Sequence, residues 1–155
     1  MLLYSYEYWQ IIMDSIKNKP VLIYDDKCSS CTIFAKYAFK YSRGQIDCLG
    51  HYSEDGQKFR KLIFPPNFNE TEMFWIITSN RAYGGRSGLL PLLGLIVRAS
   101  VMSFIKPEIS PSRIFPGYCA DSAMCSNKQY KVKRLFNLLR NGKKLNVKFV
   151  KSLKG

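Results

Sequence analysis

The stretch Val21-Leu22-Ile23-Tyr24-Asp25-Asp26-Lys27-Cys28-Ser29-Ser30-Cys31 changes its structural character twice within eleven residues. Val21 to Tyr24 is a short run of apolar, β-prone residues and reads as a buried strand. Asp25 to Lys27 form the turn. From Ser29 onward the apolar residues Cys31, Phe34, Ala35, Ala38, Phe39 and Tyr41 recur at helical spacing, with Lys36 and Lys40 on the wet side. Ser42-Arg43-Gly44 closes that helix, and Gly44 suits a left-handed cap. Cys28 therefore stands where the helix starts, and Cys31 lies one turn further along the same face.

That placement has chemical consequences. Disulfide exchange needs a thiolate, and a free cysteine with a pKa of about 8.5 is brought to about 3.5–7.5 at helix N-termini or beside cations. The helix start provides unpaired backbone N–H groups and the positive end of the helix dipole, and Lys27 adds a charge next door. Cys28 is thus expected to be the nucleophile and Cys31, one turn deeper, the resolving thiol. Asp25 or Asp26 is in position to relay a proton to the deeper thiol. A zinc site is the rival use of these residues. Cys28 and Cys31 are followed by Cys48 and His51, a Cys-x2-Cys, Cys-x2-His series that forms a valid tetrahedral set. The redox reading is preferred because the first pair opens a long amphipathic helix rather than a tight knuckle. Cys48 then reads as a small buried hydrophobe and His51 as a surface loop residue.

Outward from this centre, residues 1–19 read as a helix ended by Pro20, and Ile46 to Leu49 as a second strand. Glu54 to Ile63 reads as a helix closed by Pro65-Pro66. Met73-Phe74-Trp75-Ile76-Ile77-Thr78 is the strongest strand signal in the chain. Ala82-Tyr83 reads as its hairpin partner, broken by Gly84-Gly85. Ser87 is placed to cap a helix through about Val97. Gly84 to Gly88 lacks the Gly-Lys-Ser/Thr ending of a phosphate-binding loop, so it reads as a turn and cap. Prolines at 107, 111 and 116 predict irregular structure over 106–127, and Tyr130 to Leu139 reads as an amphipathic helix stopped by Asn141-Gly142. This order predicts an α/β fold of thioredoxin-like type, a small mixed sheet flanked by helices. Its parts are an N-terminal helix (1–19), a redox domain (20–127) and a basic helical extension (128–155).

The string from Leu22 to Cys31 resembles the start of the DCC family of predicted thiol–disulfide oxidoreductases, which carry a Tyr-Asp-x-x-Cys-x-x-Cys pattern. Met73 to Thr78 followed by Asn80-Arg81-Ala82-Tyr83-Gly84-Gly85 is similar to that family's later strand and Tyr-x-Gly segment. The resemblance spans roughly residues 20–100. It implies a thioredoxin-like fold, a redox-active Cys28–Cys31 pair and Asp25 as the third signature residue. Two departures stand out. Glu72, not a proline, precedes Met73, and Ser29-Ser30 separates the cysteines.

Composition narrows the classes. With 155 residues and 46% apolar content the chain is long and apolar enough for one domain with its own core. Met1 to Ile12 lacks a basic leader and carries Glu7. The run Leu89 to Ile105 is interrupted by Pro91 and Arg98 and reads as a buried helix followed by a loop or a second short helix. A cytoplasmic protein is expected. Five cysteines, an odd count, argue against a secreted disulfide framework. Cys119 and Cys125 read as structural residues, with a second exchangeable pair as the alternative. The net charge is +13, and ten Lys and Arg residues with no acid lie between Lys128 and Gly155. That segment reads as a solvated basic face, open to an anionic partner: an acidic protein, nucleic acid or a membrane surface. The expected activity is dithiol–disulfide exchange with a protein or low-molecular-weight thiol, needing no bound cofactor. A zinc-stabilised or basic nucleic-acid-binding module is the alternative.

Overall fold

The structure is a computed structural model and describes residues 19–105 and 128–146. The expected helix over residues 1–19, the 106–127 region with Cys119 and Cys125, and residues 147–155 lie outside the described residues, Lys19 excepted. Five strands form one mixed sheet: β1 (Val21–Tyr24), β2 (Asp47–Gly50), β3 (Trp75–Ile77), β4 (Arg81–Gly85) and β5 (Gly142–Asn146). Their order across the sheet is β2-β1-β3-β4-β5. Only β1 and β2 run parallel, joined through helix α1 (Ser29–Tyr41), as a parallel pair requires a crossover. The β1–β3, β3–β4 and β4–β5 pairs are antiparallel. The remaining helices are α2 (Glu54–Ile63), α3 (Arg86–Ile105) and α4 (Lys128–Arg140).

The central strands are buried on both faces, which is why β1 and β3 read as unbroken apolar runs. Leu22, Tyr24, Phe74 and Ile76 face one layer, with Ala35, Ala38 and Phe39 of α1 and Leu92 of α3; Leu138 of α4 packs against it. Val21, Ile23, Trp75 and Ile77 face the other layer, with Phe59 of α2, Phe64 and Met73. Helices α1, α3 and α4 thus cover one side of the sheet and α2 the other.

Local chemistry accounts for the element ends. The hydroxyl oxygen of Ser53 accepts the Gly56 N–H at 3.0 Å and caps α2. Arg43 and Gly44 both take positive φ after α1, and the Gly44 N–H closes on Phe39 O at 3.0 Å.

Five expectations are corrected. Strand β2 is shifted one residue from 46–49 to Asp47–Gly50, and β3 is shorter than 73–78. Gly84 and Gly85 do not break β4; both are part of it. Gly85 takes φ +57°, and a Cβ there would meet Asn141 O at 2.2 Å, so glycine lets β5 enter beside it. The apolar run after it is not a short buried helix with a second piece beyond. It is one 20-residue helix, continuous through Pro91, that starts at Arg86 and leaves Ser87 in its first turn. The basic 128–155 extension is not wholly helical either: after α4 the chain turns at Asn141 and adds β5 to the sheet edge.

Candidate functional site

Cys28 is the N-cap residue of α1, with extended backbone and no side-chain cap. The turn before it is tied by its own carboxylate: Asp25 Oδ1 accepts the Lys27 N–H at 2.9 Å, and Asp25 O accepts the Cys28 N–H at 3.2 Å. Asp26 is also buried, and its Oδ1 accepts the Tyr52 N–H at 3.0 Å, joining the turn to the segment after β2. Two adjacent aspartates therefore hold the Cys28 turn at the carboxyl ends of β1 and β2.

Cys28 and Cys31 approach to 2.9 Å. Cys28, Cys31 and Cys48 are thiols. The hydrogen bond from the Cys31 side chain lowers the Cys28 thiol from about 9 to about 6. Burial opposes the shift, and the Cys31 backbone N–H reinforces it. The same hydrogen bond, with burial, pushes the Cys31 thiol strongly upward, since Cys31 is the donor and its proton is held. At a pKa of about 6, about nine-tenths of Cys28 is thiolate at pH 7. Cys28 is only 2% exposed, whereas Cys31 is partly exposed, because α4 lies across the opening.

The thiols open into a cavity of about 130 Å³. Phe34, Met73, Phe74, Leu135 and Leu138 make its apolar wall, and Asp25, Lys131 and Arg134 its charged edge. Arg134 was not singled out among the sequence candidates. It reaches from α4 to Asp25 Oδ2 at 2.9 Å and donates to Thr71 O at 2.8 Å. Its positive charge lowers both thiols, while the Asp25 charge raises Cys28. The cation facing the sulfurs is thus Arg134, while the Lys27 ammonium sits 4.0 Å above the Tyr52 ring. The signal was present in the sequence. Lys131, Arg134, Leu135 and Leu138 share one face of α4, a cation set within an apolar stripe rather than on the wet side. Arg134 is accordingly not part of a solvated basic face.

His51 is not a surface loop residue. It is fully buried, its N–H is bonded to Tyr24 O at 2.8 Å, and its Nε2 lies 3.1 Å from Met73 O. Burial lowers its pKa from 6.5 to about 4, so the ring is neutral at pH 7 and Nε2 carries the proton donated to that carbonyl. Through this bond His51 fixes Met73, which lines the cavity. Cys48 does pack in the core, its thiol 3.6 Å from Ala35 O of α1. The alternative zinc set Cys28, Cys31, Cys48 and His51 is not assembled, and among the described residues no three His, Cys, Asp or Glu side chains come together as a metal site.

No family model, curated protein or solved structure matches the chain.

Proposed function

We propose that the protein is a cytoplasmic thiol–disulfide oxidoreductase of thioredoxin-like architecture, related to the DCC family, acting on a disulfide-bearing protein or small thiol without a bound cofactor. The observation that carries this reading is the Cys28 thiol at the N-cap of α1, lowered to about 6 chiefly by the hydrogen bond from the Cys31 side chain. A parallel β1–α1–β2 unit beside an antiparallel β3–β4 hairpin and helix α3 supports the architecture.

The exchange runs in two steps. The Cys28 thiolate attacks one sulfur of a substrate disulfide, forming a Cys28–substrate disulfide and releasing the other sulfur as a thiolate. Cys31 then attacks Cys28 Sγ, closing the Cys28–Cys31 disulfide and expelling the second substrate thiolate. Two electrons pass from the protein to the substrate. The Cys31 proton and one from solvent end on the two substrate thiols. Asp25 is the proposed relay for the Cys31 proton, since it lines the cavity with both sulfurs and Asp26 does not. An external dithiol returns the protein to its reduced form. A reducing compartment keeps Cys28, Cys31 and Cys48 as thiols.

The test is trapping by mass spectrometry. Incubated with glutathione disulfide, Cys31→Ser should accumulate one glutathione on Cys28, and the unaltered protein should pass to the internal disulfide. A Cys31→Ser protein that takes up no glutathione, while remaining folded by circular dichroism, would remove the proposal.

A further inference from the structure

Helix α3 has 20 residues and a mean hydropathy of 1.9 over its most apolar 18-residue window, yet only 17% of that window is buried. A core helix of this composition would be mostly covered. One side is covered: Gly88, Leu92 and Ala99 are buried against the sheet layer. The opposite side is just as apolar. Leu90, Leu93, Val97, Val101 and Phe104 recur every three or four residues and stand exposed, Phe104 at 90%. The neighbouring α4 exposes Val132, Leu135, Phe136 and Leu139 on the same side of the sheet, interspersed with the exposed cations Lys128, Lys133 and Arg140. Neither helix contains an acid.

We infer that the protein docks on the surface of an anionic lipid bilayer, with the exposed stripe of α3 inserted among the acyl chains and the cations of α4 at the headgroups. Charge complementarity selects this occupant. The chain is +13, and the exposed cations Lys128, Lys133 and Arg140 of α4 stand among that helix's exposed apolar residues. Insertion of an apolar helix face together with lysines and arginines at an anionic interface is the binding mode such a surface fits. Arg98 lies within the stripe and is exposed; its aliphatic stem can run along the apolar surface while the guanidinium reaches a phosphate. Helix α3 lies on the bilayer rather than crossing it, since its other side is part of the core and it follows β4 without a linker. The inference is independent of the dithiol chemistry.

The test is flotation of the full-length reduced protein with phosphatidylcholine vesicles, with and without phosphatidylglycerol. Binding should need phosphatidylglycerol and weaken with salt. Lys133→Gln should weaken it on the order of fivefold, as expected for one cation near an anionic surface. Val97→Glu/Val101→Glu should weaken it more than about tenfold. Thermal unfolding and Cys28 alkylation should be unchanged in these variants. If the double variant does not fold, Phe104→Ser serves in its place. Absence of binding to anionic vesicles overturns the inference. So does binding that Val97→Glu/Val101→Glu or Phe104→Ser leaves intact, and so does a dimer, unable to bind vesicles, that these substitutions convert to monomer.

Discussion

Replacing Arg134 by methionine keeps a long apolar stem against Leu135 and Leu138 but removes the guanidinium from Asp25 and from Thr71 O. The Asp25 side chain is 2% exposed and that of Arg134 16%, so the substitution takes a cation away from a buried carboxylate. Removing one partner of a buried pair costs about 3–5 kcal/mol, and partial solvent access at Arg134 places the expectation near the lower end, at about 3 kcal/mol. With a urea slope of about 2 kcal/mol/M, the unfolding midpoint should fall by about 1.5 M. The thiol provides a second readout with opposite signs for the two partners. Arg134 lowers the Cys28 pKa and Asp25 raises it. In iodoacetamide kinetics against pH, Arg134→Met should therefore move the Cys28 midpoint up and Asp25→Asn should move it down. Asp25→Asn/Arg134→Met should cost less stability than the two single changes together, because neither charge is then left unpaired. An Arg134→Met protein within about 0.5 kcal/mol of the parent, with an unmoved alkylation curve, would refute the ion pair and with it the role of α4 as a wall of the cavity.

Cys31→Ala should carry the Cys28 alkylation midpoint upward from about 6, because the hydrogen bond from the Cys31 thiol is the largest cause of its depression; a midpoint that stays put would assign the shift to the helix start alone. His51 has its pKa lowered from 6.5 to about 4, so the unfolded chain takes up a proton that the folded one refuses. Stability from this group is complete above pH 6.5 and is lost as pH falls toward 4, by about 3 kcal/mol in all. In His51→Gln, urea titrations across that range should show this component gone. Gly50→Ala should destabilise by about 2 kcal/mol or more, because its Cβ would lie 2.3 Å from Asp26 Oδ2, inside the buried turn that positions Cys28; a melting temperature equal to the parent's would contradict that packing.

The strand, turn and helix around Cys28 were legible from residues alone because each rests on a local cause. β-Prone residues fill Val21–Tyr24, aspartates hold the turn, and helical spacing of apolar residues begins at Ser29. Helix α2 was equally legible, bounded by Ser53 and by Pro65-Pro66. Sheet membership of 142–146 was not. Gly142-Lys143-Lys144-Leu145-Asn146 carries too little apolar pattern to signal a strand, and it becomes one because β4 offers an open edge and Gly85 leaves space for Asn141. The exposure of α3 was likewise hidden, since an apolar sequence does not say how many of its sides will be covered.

By itself, then, the sequence determined the dithiol, its place at a helix start and the acidic turn before it, all set by neighbours within a few residues. Tertiary structure decided which charges and surfaces surround that dithiol. It brought Arg134 to Asp25 across more than a hundred residues of chain and buried His51 under Met73. It also set α4 across the opening beside Cys28. These contacts depend on how separate elements stack on one sheet, a long-range matter that local spacing does not encode.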